Sequence, residues 1–181
     1  MMMDPVNLID RFYKQDDPAR AILLTHSRCV ADKALEVAHR LDTPVDLAFI
    51  EEAAMLHDIG ILATDAPNIH CYGSEPYLRH GPIGHNMLME LGLPKHARVC
   101  ERHTGVGLSA EDILKNQLPL PARDMRPETL EEQIICYADN FYRKTPGLLT
   151  TPQTPEQIMS TLSRFGEDKV QTWKEWHQRF G

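Results

Sequence analysis

The chain of 181 residues has no apolar run near the ~20 residues that cross a bilayer. Its opening residues, MMMDPVNLID, lack the basic-then-apolar order of a secretory signal. Cysteine is sparse. Cys29, Cys71, Cys100 and Cys136 stand far apart without a CxxC pair, which argues against a disulfide framework or a thiolate metal site and fits reduced thiols in the cytoplasm. Positive charge is short as well: 19 Lys and Arg face 26 Asp and Glu, for a net charge of -7. That balance argues against a nucleic-acid scaffold. A nucleotide substrate stays open, because a bound cation offsets phosphate charge locally. Sustained period-2 alternation is absent too, so no strand is expected. What remains is an ordinary composition, 42% hydrophobic and 25% charged, with enough chain for a core. The expectation is an all-α, compact single domain over residues 1–181, a bundle of six to eight helices without internal repeats.

The helix boundaries are marked by capping residues. Asp17-Pro18 reads as N-cap and first helical residue of a helix to about Arg40. Thr43-Pro44, with Asp46 behind it, opens the next, which runs to His57 or Asp58 with Gly60 placed to stop it. Further helices are expected over Gly81 to Leu91 and Pro94 to His103, and a short one from Ser109. Thr129 and Glu132 fit a capping box for a helix to about Lys144. Thr154 and Gln157 fit another, for a last helix over about 155–180. Its stripe Trp173, Trp176, Phe180 packs on the domain or, alternatively, forms a homodimer contact. Two long non-helical segments, Thr64 to Leu78 and Leu118 to Pro127, have the length of lids or binding loops.

The histidines give the functional signal. His26 shares a helix face with Ile22, Val30 and Val37, so it points inward. Alone it would pass for a hydrogen-bonded core residue. His57 shares a face with Leu47, Ile50 and Ala54. Asp58 is one step of about 100° away, so one ion is reached by both only near a helix end, where they are. Asp139 falls four residues after Ile135 and three before Tyr142, again on the inner side. A buried unpaired carboxylate is strongly disfavoured. Three helices thus aim ligand-type groups at one interior, which a metal would explain. His80 and His103 are the next candidates. Ile83, Met87 and Leu91 continue the face of His80. His85, about 140° around from His80, is not expected at the same site. His39, His70, His96 and His177 sit in polar or terminal surroundings and are expected in solvent.

His26, the doublet His57-Asp58 in the string HDIG, and Asp139 occur in the contexts THSRCVADKALEVA, AAMLHDIG and IICYADNFYRK. Over about residues 20–145 this pattern resembles the HD-domain superfamily of metal-dependent phosphohydrolases. HGPIGHNML followed by RHTGVG resembles the HDIG type and the symmetrical dinucleoside-tetraphosphate hydrolases. The HD-GYP type has a histidine pair where this chain has Arg102-His103, and Gly-Tyr-Pro where it reads Gly105-Val106-Gly107. A cyclic dinucleotide phosphodiesterase is therefore not expected.

The resemblance implies one metal held by His26, His57, Asp58 and Asp139, and a second that shares Asp58 and adds His80 and His103. One or two divalent transition-metal ions are expected. Imidazole and carboxylate ligands suit iron, manganese, zinc or cobalt better than calcium. Metal-activated water would cleave a phosphoester or phosphoanhydride of a small nucleotide or related metabolite. Asp58, Arg102 and Lys144 are the catalytic candidates. Arg79 and Arg143 are candidates for binding substrate: Arg143 lies one turn beyond Asp139, and Arg79 directly precedes His80. The alternatives are a dinuclear-metal oxygenase on the same scaffold and a catalytically silent metal- or nucleotide-binding domain. The expected partner is a small phosphorylated molecule, not a membrane or a nucleic acid.

Overall fold

Asp17 accepts from the Ala19 amide and Pro18 fills the first helical position, so the longest helix starts where the sequence marks it. The computed structural model describes residues 3–181, which form nine α-helices. They are α1 (Pro5–Ile9), α2 (Pro18–Arg40), α3 (Leu47–Leu56), α4 (His80–Glu90), α5 (Pro94–Arg102), α6 (Ala110–Lys115), α7 (Leu130–Asp139), α8 (Pro155–Ser163) and α9 (Glu167–Phe180). The all-α expectation holds, but the count exceeds six to eight for two local reasons. Asp4 and Pro5 open the short α1, which carries too few apolar positions to show a period. The expected single last helix is broken at Gly166, whose φ of +143° is open to glycine.

Two further boundaries differ. Asp46, not Thr43, caps α3. Helix α7 stops at Asp139 rather than Lys144. Its capping box is half made: Thr129 accepts from the Glu132 amide, but the Glu132 carboxylate accepts from the Glu128 amide instead. The boxes at Ser109–Asp112 and Thr154–Gln157 are complete. One antiparallel ladder also exists, β1 (Asp65–Ala66) with β2 (Cys71–Tyr72), inside the segment read as a loop. At two residues per strand it leaves no alternation to detect.

The core has two parts. In one, α9 lies on α7: Trp173 is fully buried, 5.6 Å from the Tyr137 ring and 5.9 Å from Phe141. The Trp173, Trp176, Phe180 stripe is thus covered within the chain. In the other, Leu23, Leu56, Ile59, Leu88 and Cys100 join α2 and α3 to α4 and α5. Among the described residues no helix is long and apolar enough to cross a membrane.

Gly60 does not end α3 by a left-handed turn. Helix α3 closes at His57, and the chain continues in a 3-10 turn, Ile59–Ala63. The glycine is needed for a different reason. A Cβ there would fall on the His80 carbonyl oxygen and lie 2.6 Å from the Gly84 amide nitrogen. Gly60 and Gly84 let the turn after Asp58 touch the backbone of α4, which sets Asp58 against His80. Gly60→Ala should therefore cost about 3 kcal/mol by overpacking, seen as a lower urea midpoint with an unchanged slope.

Candidate metal centre

Three helix C-termini converge on one interior point. His57 is the C-cap of α3, His103 is the C-cap of α5, and Asp139 is the last residue of α7. Helix C-termini leave carbonyls without intrahelical partners and carry the negative end of the helix dipole. Both features favour a cation. His26 enters from the middle of α2 and His80 from the first turn of α4.

The orphan carbonyls also orient the rings. His57 Nδ1 donates to the Ala54 carbonyl (2.6 Å) and His103 Nδ1 to the Cys100 carbonyl (2.7 Å). His80 Nδ1 donates to the Tyr77 carbonyl (2.6 Å). A carbonyl only accepts, so each Nδ1 carries a proton, and each ring when neutral turns an Nε2 lone pair inward. His26 has no such partner; its Nδ1 is buried and unpaired.

Asp58, fully buried, stands between two sets of these atoms. Its Oδ2 lies 3.2 Å from both His26 Nε2 and His57 Nε2. Its Oδ1 lies 3.1 Å from His80 Nε2 and 3.2 Å from His103 Nε2. Asp139 Oδ1 joins the first set, 3.0 Å from His26 and 3.3 Å from His57. The two histidines of the second set face each other Nε2 to Nε2 at 3.0 Å. With both Nδ1 protons committed, two facing lone pairs need a proton or a metal between them. His57 Nε2 and Asp58 Oδ1 likewise have no aligned hydrogen-bond partner. Each set, His26–His57–Asp58–Asp139 and Asp58–His80–His103, has the donors and spacing to hold a metal ion. The residues fit the group.

This chain matches the HD domain over residues 23–144. It belongs to the HD-domain family. The family is a superfamily of metal-dependent hydrolases, which agrees with the donor set. An uncharacterized protein of Methanocaldococcus jannaschii is 34% identical over 123 residues, 66% of this chain and 65% of that protein. The tRNA (cytidine(56)-2'-O)-methyltransferases of Thermoplasma volcanium and Picrophilus torridus are 29% and 32% identical over 77% and 70% of this chain. The match with this chain spans only 36% and 33% of their lengths. No solved structure matches the chain.

The cations singled out in the sequence part ways. Lys144 Nζ lies 2.6 Å from Asp58 Oδ2 and 5.7 Å from the Tyr77 ring centre. Arg143 is exposed and lines a cleft of about 460 Å³ with Lys144, Tyr77 and the β1–β2 hairpin. Arg102 is bound to Glu132 (3.1 Å) and Glu128 (3.2 Å). Arg79 pairs with Glu75 at the surface (2.9 Å). Among the remaining histidines, His39 and His70 are exposed as expected. His96 instead contacts Glu52 (3.1 Å), and His177 bonds Tyr137 Oη and stacks on Trp173. His85 stays outside both ligand sets.

Tyr13 is the residue that sequence reading missed. It is buried, its hydroxyl donates to the Ile59 carbonyl (2.8 Å) and accepts from the Leu62 amide (3.1 Å), and so clamps the turn behind Asp58. No periodic signal marks it, because it lies between helices. Tyr13→Phe should leave the Leu62 amide unpaired, cost about 1–3 kcal/mol, and weaken metal binding while the fold persists, read by denaturation and metal titration.

Burial opposes charge on His57, but the Asp58 and Asp139 carboxylates outweigh it and push its pKa up to about 10. Burial also opposes ionisation of Asp58 and Asp139. His57 with Lys144, and His57 with His26, nonetheless hold them well below the usual carboxylate range. Burial pushes His80 down. The raised His57 value means that its imidazolium stabilises the metal-free fold fully below about pH 6.5, and that this contribution is lost as pH rises through about 10. A metal needs the neutral ring, so binding must expel that proton. Between pH 7 and 9 the apparent metal affinity should rise about tenfold per pH unit, with about one proton released per ion, measured by calorimetry in buffers of different ionisation enthalpy.

Proposed function

We propose that this HD domain is a metal-dependent phosphohydrolase acting on a small nucleotide or a related phosphorylated metabolite. The observation that carries the reading is Asp58, whose two oxygens each serve a separate set of inward donors. His26, His57, Asp58 and Asp139 would hold one divalent ion, and Asp58, His80 and His103 a second, with iron, manganese, zinc and cobalt all suited to the donors. Such ions supply Lewis acidity toward phosphoryl oxygens and lower the pKa of a water to near neutrality.

The remaining work falls to the chain's own cations. Burial opposes charge on Lys144, yet the Asp58 carboxylate keeps it protonated well past the physiological range. Its ammonium steadies Asp58 and adds positive potential where phosphoryl charge develops. Arg143, beside it in the cleft with Tyr77, would bind the substrate's outer phosphate or carboxylate groups. Arg102 is better assigned as a positioning residue. Its pairs with Glu128 and Glu132 tie α5 to the segment that opens α7, and so fix His103 near Asp139. The names of two relatives, enzymes of 2'-O-methylation at a tRNA cytidine, support a nucleotide as the substrate class.

The test is phosphate release from a nucleotide panel with manganese or ferrous iron, run with and without oxygen. Equal rates are expected; turnover that needs oxygen would sink the hydrolase reading in favour of an oxygenase. Asp58→Ala should lose bound metal and hydrolysis together. Lys144→Met should keep its metal but lose about 10²-fold in kcat, as for other charge-stabilising donors.

A further inference from the structure

A second cavity, of about 250 Å³, is lined by sequence neighbours of the candidate ligands. Three of its walls continue directly from the candidate ligands. Thr104 follows His103, Asn140 follows Asp139, and Leu78 precedes His80 by two residues. The 3-10 turn Tyr77–Arg79 divides it from the cationic cleft, with Tyr77 lining the cleft and Leu78 lining the cavity. Its size is below the ~300–1,000 Å³ of pockets that enclose a whole ligand, so it suits one ring system of a larger molecule.

The lining is specific. Leu78, Leu108, Leu118 and Leu162 supply aliphatic surface. Gly105 and Gly107, at φ of +60° and +92°, supply bare peptide planes. At Gly107 a side chain is excluded, since a Cβ would lie 2.6 Å from Arg126 Cα and Pro127 Cδ. Of the polar side chains that line it besides Thr104, the Thr161 hydroxyl donates to the Gln157 carbonyl, the Lys169 ammonium pairs with Asp112, and the Asn140 amide is held by two carbonyls. Its Nδ2 donates to the Gly105 carbonyl (2.7 Å) and the Cys136 carbonyl (2.8 Å), which fixes the flip. Its Oδ1 is left as an acceptor without a hydrogen-bond partner among the described residues. A flat, largely apolar ring with an N–H donor on its edge satisfies such a lining, and a lipid tail or a bare phosphate does not.

We infer that this cavity is the base-binding subsite of the centre. It takes the heteroaromatic ring of a nucleoside-type substrate between the leucines and the glycine peptides, with the ring's N–H donating to Asn140 Oδ1. The inference rests on the hydrolase reading for what happens at the metals, but base binding does not require turnover.

The experiment is calorimetric titration of the full chain with adenosine, guanosine and cytidine, each bearing an exocyclic amine, and with ribose and ribose 5-phosphate. At least one nucleoside should bind ten times more tightly than ribose. Its analogue without the amine should bind about three- to tenfold more weakly, the worth of one hydrogen bond. Leu118→Trp, from the loop wall, should fill the cavity and cost the nucleoside at least tenfold while ribose 5-phosphate affinity stays within twofold. Leu118→Ala, which only enlarges the cavity, should weaken the nucleoside severalfold and guards against misfolding of the larger variant. Nucleosides that bind no better than ribose, or a nucleoside affinity indifferent to both Leu118 variants, would overturn the subsite even where phosphate release is observed. Base selectivity without any phosphate release would leave the subsite standing and remove the hydrolase reading.

Discussion

A carboxylate with no exposure to water has to be compensated, and Asp58 is such a carboxylate. Much of the architecture answers that requirement. Four imidazole Nε2 atoms and one ammonium lie within 3.2 Å of its two oxygens. They come from α2, α3, α4, α5 and the segment after α7, so five parts of the chain must meet at one residue. The meeting is made exact by backbone contacts rather than by the donors. Gly60 and Gly84 bring the turn behind Asp58 onto α4, and Tyr13 pins that turn from the far side.

The helix ends solve a second problem with the same groups. The last carbonyls of α3 and α5 would otherwise lack partners. His57 and His103, sitting as C-caps, satisfy them through Nδ1 and thereby leave Nε2 free for the interior. A single residue at each end closes a helix, fixes a tautomer and presents a ligand. Lysine or arginine at such an end would also complement the dipole, but would offer no lone pair.

What the sequence made legible follows from this. His26, His57 and Asp139 sit at helical spacing from apolar neighbours, so their inward direction is a local property. The convergence of His80 and His103 on Asp58 also agrees with their order along the chain. Pairings that depend on distant parts were not legible. Arg102 looks free beside a ligand, yet Glu132, thirty residues away, takes its charge. Lys144 is near Asp139 in sequence, but its ammonium reaches across to Asp58. Tyr13 and the β1–β2 ladder carry no period at all. The break at Gly166 depends on one residue's backbone conformation, which capping patterns do not encode.

Charge balance reconciles an acidic chain with the proposed anionic substrate. Asp58 and Asp139 bring two negative charges into the cavity, and Lys144 returns one positive charge. Without a metal, a proton on His57 restores neutrality, which is the physical content of its raised pKa. One divalent ion replaces that proton and leaves the cavity positive. Two leave it strongly so, inside walls of low dielectric where such a charge is weakly screened. On the proposed reading, a phosphoryl group would be drawn to that positive centre in a protein whose net charge is -7. A net charge of that sign disfavours a polyanion as large as a nucleic acid, whereas the proposed small phosphate ester would profit from the field of the centre. On that reading the acidity of the chain and a metal-loaded centre would act together, favouring small anions over large ones.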